Sequence, residues 1–99
     1  MEPVFMEVVM QTSDLVAGRV SRDDLEGPLE AALKEAGLGV LTGGGSGSET
    51  AIIELEINDG TNAQDALRVI RRVLNERKAP ASTVIKQLEP ELRIHPLRG

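Results

Sequence analysis

The 99-residue sequence predicts an α+β domain with elements in the order β-α-β-β-α-β, and three patterns predict it. Apolar residues alternate at period two over 4–10 and again over 50–57, the spacing of strands with one buried face. Leu25, Leu29 and Leu33 recur every fourth residue, which marks a helix. Ala63, Ala66, Leu67, Ile70, Val73 and Leu74 fall on one face of a second helix.

The first strand presents Val4, Met6, Val8 and Met10 on its apolar side. Residues 11–20 open with turn chemistry and carry no period, so they read as a connection. Ser21 with Asp24 forms a helix N-cap signal. Pro28, preceded by Gly27, lies inside the pattern that follows, so the helix is expected to be regular over 26–36 or to kink at the proline. Gly37 suits the left-handed position past the helix end, and residues 38–42 read as a short second strand.

Gly43, Gly44, Gly45, Ser46, Gly47 and Ser48 read as a flexible loop, because glycine loses the most backbone entropy on ordering and contributes no packing. In the third strand, 50–57, Ile53, Leu55 and Ile57 face one way and Ile52, Glu54 and Glu56 the other. Asn58-Asp59-Gly60 is a turn, and Thr61 with Gln64 makes a capping box for the second helix. Arg71, Arg72, Arg77 and Lys78 load that helix's C-terminal half, where cations suit the dipole. Residues 83–88 read as a fourth strand, and 91–97 as an extended tail or an edge strand limited by Pro96. The whole reads as one domain over 1–99, with its core in 4–88 and an extended C-terminal tail over 89–99.

Composition excludes several functions. There is no cysteine, hence no disulfide framework, thiolate metal site or thiol nucleophile. Eleven Lys and Arg against sixteen Asp and Glu give a net charge of −5, and the only aromatic residue is Phe5. That balance disfavours nucleic acid, which calls for basic patches and often ring stacking, and better suits a basic partner. No long apolar run or basic-flanked leader is evident, so a soluble cytoplasmic protein that does not engage a membrane is the expectation.

The element order is that of a split βαβ pair. The span 4–88 resembles ferredoxin-like αβ-sandwich domains, and the resemblance implies an antiparallel four-stranded sheet in the order 4-1-3-2 with both helices on one face. The stretch SRDDLEGPLEAALKEAGLGVLTGGGSG, the acidic strand IIELEIND and the second helix resemble small bacterial proteins with no assigned activity. In size and acidity the chain is also similar to toxin-neutralising immunity proteins. Fold alone does not give function.

If Val4, Met6 and Val8 with Ile53, Leu55 and Ile57 form the core, Glu7, Glu54 and Glu56 lie on the face away from the helices. They lie beside Phe5, Val9 and Ile52. Such a face fits a divalent cation, an acid/base pair, a docking surface for a protein, or a plain solvated sheet with Lys86 as counter-charge. The expectation is a non-enzymatic interaction domain in which Phe5, Glu7, Val9, Ile52, Glu54 and Glu56 contact a basic partner or a second copy, with a homodimer as one form. No cofactor or metal is implied. The alternative is a regulatory module in which Gly43, Gly44, Gly45, Ser46, Gly47 and Ser48 hold a small anion through backbone N–H groups, although no Gly-Lys-Ser/Thr follows them. An enzyme is the weakest reading: the single histidine, His95, lies in the tail with no nucleophile at motif spacing.

Overall fold

The computed structural model describes residues 2–89 and 92–97. Strand β1 (Val4–Gln11) leads into helix α1 (Thr12–Gly18) and helix α2 (Arg22–Glu35). The hairpin of β2 (Gly39–Ser46) and β3 (Thr50–Ile57) follows. A single 3-10 turn (Gly60–Asn62) then precedes α3 (Ala63–Glu76), β4 (Val84–Glu89) and β5 (Arg93–Pro96). All strand pairs are antiparallel, in the order β2-β3-β1-β4-β5.

The expected four-stranded sheet is therefore corrected to five strands. Ending the sheet at β4 would leave that strand's outer N–H and C=O groups without protein partners. Residues 93–96 take them up, pairing Val84 with Pro96, Ile85 with His95, Lys86 with Ile94 and Gln87 with Arg93. The Leu97 N–H donates to the Thr83 carbonyl, and Leu97 is buried in the core. The Arg71 guanidinium of α3 donates twice to the Pro96 carbonyl, at 3.2 and 3.1 Å. The C-terminal segment is thus docked from both sides; Glu91, which opened the predicted segment, lies outside the described residues.

One face of the sheet carries the core. Val4, Met6, Val8 and Met10 of β1 lie beside Ala51, Ile53, Leu55 and Ile57 of β3, and Leu25, Leu29 and Leu33 of α2 close over them. Ala66, Leu67, Ile70, Val73 and Leu74 of α3 complete the layer. Fully burying a side chain of the Leu or Ile kind stabilises a fold by about 1.5–3 kcal/mol, so this one contiguous layer is the dominant favourable contribution. Among the described residues, no helix is long and apolar enough to cross a membrane.

Four local expectations are revised. Residues 12–18, read as connection, are helical. A helix of two turns with Leu15 as its single buried residue leaves too short a pattern to show a period. The α2 helix starts at Arg22 and passes through Pro28 to Glu35, because a complete capping box holds its first turn. The Ser21 hydroxyl accepts from the Asp24 N–H at 3.1 Å, and the Asp24 carboxylate accepts from the Ser21 N–H at 2.9 Å. The Ser21 backbone N–H, and after it the Ser21 side chain, hold the Asp24 carboxyl below its ordinary pKa. At the start of α3 the expected box of Thr61 and Gln64 does not form; the Asp59 carboxylate instead accepts from the Thr61 N–H at 3.0 Å.

The fourth revision concerns the glycines. Gly43 to Ser46 belong to β2, and only 47–49 connect the hairpin. Pairing with β3 and three polar ties hold this segment: Thr12 Oγ1 donates to the Gly47 carbonyl at 2.8 Å, the Gly47 N–H to the Thr50 carbonyl at 2.8 Å, and Arg22 Nε to Ser46 Oγ at 3.0 Å. Gly44 has φ 147°, and a Cβ there would run into the Ile52 carbonyl, so glycine serves backbone approach here.

Pro28 removes one N–H from the interior of α2, so Pro28→Ala is expected to raise the unfolding free energy by about 1–3 kcal/mol. Ser21→Ala is expected to lower it by about 1 kcal/mol through loss of the cap. Urea denaturation of the two variants measures both.

Candidate functional site

Among the described residues, no helix packs on the sheet face opposite α2 and α3. Along β1 that face presents Phe5, Glu7 and Val9, which stand in register with Glu56, Glu54 and Ile52 of β3. On the other side of β1, Lys86 stands opposite Glu7 and Val84 opposite Val9. Phe5 keeps 37 % of its surface exposed, Leu88 38 %, Val40 42 % and Ile94 59 %, which is much apolar area for a sheet face left to solvent.

Glu7 and Glu54 lie directly opposite each other on adjacent strands, where Cβ atoms are about 4.5–5.5 Å apart and like charges oppose pairing. Arg22–Glu26, Arg68–Asp65 and Arg72–Glu76 form ion pairs, each within a helix. None involves Glu7, Glu54 or Glu56. Lys86 shares the row but closes no ion pair with Glu7.

Two β-bulges bracket this pair. Pairing of β2 with β3 skips Thr42, between Leu41 and Gly43, and pairing of β4 with β1 skips Leu88, opposite the Phe5–Met6 step. A bulge bends its strand and re-aims a side chain. Here both skipped residues line one hollow of about 510 Å³, together with Phe5, Glu7, Glu54 and the Glu2–Pro3 segment. The site is a depression lined by apolar residues and by three glutamates, Glu2, Glu7 and Glu54, of which Glu7 and Glu54 stand opposite each other in register and Glu54 extends its carboxylate over Gly43 of β2.

Of the predicted contact residues, Phe5, Glu7 and Glu54 converge on the hollow. Val9, Ile52 and Glu56 lie in the neighbouring rows of the same face. Leu88, Thr42 and Val40 were missed. Period two over 84–88 would have put Leu88 with Lys86 on the open face, but nothing in the sequence marks where a bulge falls. Gly43, Gly44, Gly45 and Ser46 run along the β2 edge with Gly47 and Ser48 at its tip, and an extended strand sends successive groups to opposite sides rather than converging them on an anion. No group of three or more His, Asp or Glu side chains among the described residues is arranged to hold a metal ion.

The basic cluster of α3 is dispersed: Arg71 turns to the Pro96 carbonyl, Arg72 reaches Glu76 at 3.9 Å, and Lys78 adopts φ 62° past the helix end. His95 stands opposite Ile85 on β5 with its Nε2 atom buried and without a hydrogen-bond partner among the described residues. Burial, then the charges of Arg71 and Arg93, push its pKa below the ordinary histidine value.

Comparison with protein-family models, curated proteins and solved structures returns no match.

A folded-state pKa held below the unfolded one disfavours protonation in the native state. The His95 contribution is therefore intact above the unfolded value of about 6.5 and lost as pH falls through the depressed folded value. Urea denaturation between pH 8 and 5 is expected to show the wild type losing stability toward pH 5, and His95→Gln losing less.

Proposed function

We propose that this chain is a non-enzymatic, acidic protein-interaction domain of the ferredoxin-like class, and that it docks a basic partner on its open sheet face. The single observation that carries the reading is the bracketed hollow: the two bulged residues, Leu88 and Thr42, line it together with exposed Phe5 and with Glu7 and Glu54, which stand opposite each other in register and form no ion pair among the described residues. Exposed Phe5 and Leu88 supply apolar anchors that lose water on contact, and the carboxylates supply steering and register. The four strands β4-β1-β3-β2 in that order, with α2 and α3 over one face, support the fold assignment, with β5 as an addition at the β4 edge. Inhibition of a basic target, in the manner of immunity proteins, is one form of this function. Self-association through the same face is the other.

Light scattering and affinity capture separate these. The wild-type chain is expected either to exceed monomer mass, or to run as a monomer and retain a basic protein that releases as salt screens the carboxylates. Phe5→Glu is expected to abolish whichever of the two occurs. A wild-type monomer whose captured proteins are recovered equally by a Phe5→Glu bait contradicts the proposal.

A further inference from the structure

Resting on that docking reading, we infer that the hollow lined by Glu7 and Glu54 receives an arginine side chain from the partner protein, its guanidinium held by their carboxylates. The charge is complementary: Glu2, Glu7 and Glu54 all line the hollow, Glu7 and Glu54 stand in cross-strand register, none of the three forms an ion pair among the described residues, and a bound cation offsets the like-charge cost. The shape of the charge favours arginine over lysine. A guanidinium offers five N–H donors in a planar fork and can serve two carboxylates at once, whereas an ammonium is a compact, strongly hydrated point.

The walls point the same way. Phe5, Leu88 and Pro3 line the hollow and offer apolar surface against which an arginine's methylene stem can pack. A bare divalent cation would instead require about six oxygen ligands, and no group of three or more acidic or histidine side chains is arranged for one among the described residues. A second copy fits poorly as the donor. Its open face offers Lys86 but, among the described residues, no arginine: Arg22, Arg68, Arg71 and Arg72 belong to helices, Arg19 and Arg77 to helix C-caps, and Arg93 stands opposite Gln87, whose side chain is on the buried side.

Three capped dipeptides test this on the intact chain: acetyl-Leu-Arg-amide, its neutral isostere acetyl-Leu-citrulline-amide, and acetyl-Leu-Lys-amide, each titrated while backbone amide shifts are followed by NMR. The arginine probe is expected to move the amides of Phe5, Glu7, Glu54 and Leu88. Its affinity is expected to exceed that of either other probe at least tenfold. Glu54→Gln should erase most of that advantage, and Glu30→Gln, an equal charge change on α2, should preserve it. Unshifted amide spectra elsewhere in each variant report an intact fold. Arginine and citrulline probes that titrate alike, or no shift at those four amides, overturn the inference, and a lysine probe as tight as the arginine probe overturns the choice of arginine. Loss of partner binding on Phe5→Glu alongside any of these results leaves the docking reading standing, so the two fail separately.

Discussion

Strand β1 is flanked by β3 on one side and β4 on the other, and its strict alternation is the constraint on which the rest of the structure depends. Val4, Met6, Val8 and Met10 must all go under the helices, so Phe5, Glu7 and Val9 have no choice but the open face. A shift of one residue against β3 would bury Glu7 among leucines and isoleucines, an error that no ion pair nearby would offset. Register and core composition therefore fix the open face as a by-product. Once Val8 sits against Ile53 and Met6 against Leu55, Glu7 meets Glu54.

The cost of that meeting is small beside the core, which is why the fold tolerates it. A like-charge cross-strand pair opposes folding by a fraction of a kcal/mol to about 1 kcal/mol, whereas each fully buried Leu or Ile contributes about 1.5–3. Local unfavourable choices that persist in a well-packed fold are those with a use elsewhere. The glutamate pair, the exposed Phe5 and the two bulges all fall at one place, which is the ground for the proposed docking of a basic partner there.

Elements with several apolar anchors were legible from the sequence: the period-two strands at 4–10 and 50–57, and the stripe from Ala63 to Leu74 that becomes the buried side of α3. Elements held by few or distant contacts were not. Helix α1 has one buried residue, and β5 exists because β4 and Arg71 offer hydrogen-bond partners some distance away in sequence. The glycine segment misled for a related reason. Entropy makes 43–48 a poor strand in isolation, yet pairing with β3 and ties from Thr12 and Arg22 outweigh it. Of the candidate site, the side on which Phe5, Glu7 and Glu54 lie followed from alternation alone. The hollow did not, since it depends on bulges at Thr42 and Leu88 that are properties of pairing rather than of either strand.

Glu54 stands opposite Glu7 and neither forms an ion pair among the described residues; the stability of Glu54→Gln at low and high salt tests the cost of that pairing most directly, with Glu30→Gln as the control for net charge. Relief of the cross-strand repulsion predicts a Glu54→Gln chain more stable than wild type by about 0.2–1 kcal/mol at low salt, beyond any gain in the control, with the excess shrinking as salt screens the pair. A Glu54→Gln chain no more stable than the control, or less stable than wild type, would mean that a cation already satisfies Glu54, and would contradict the account.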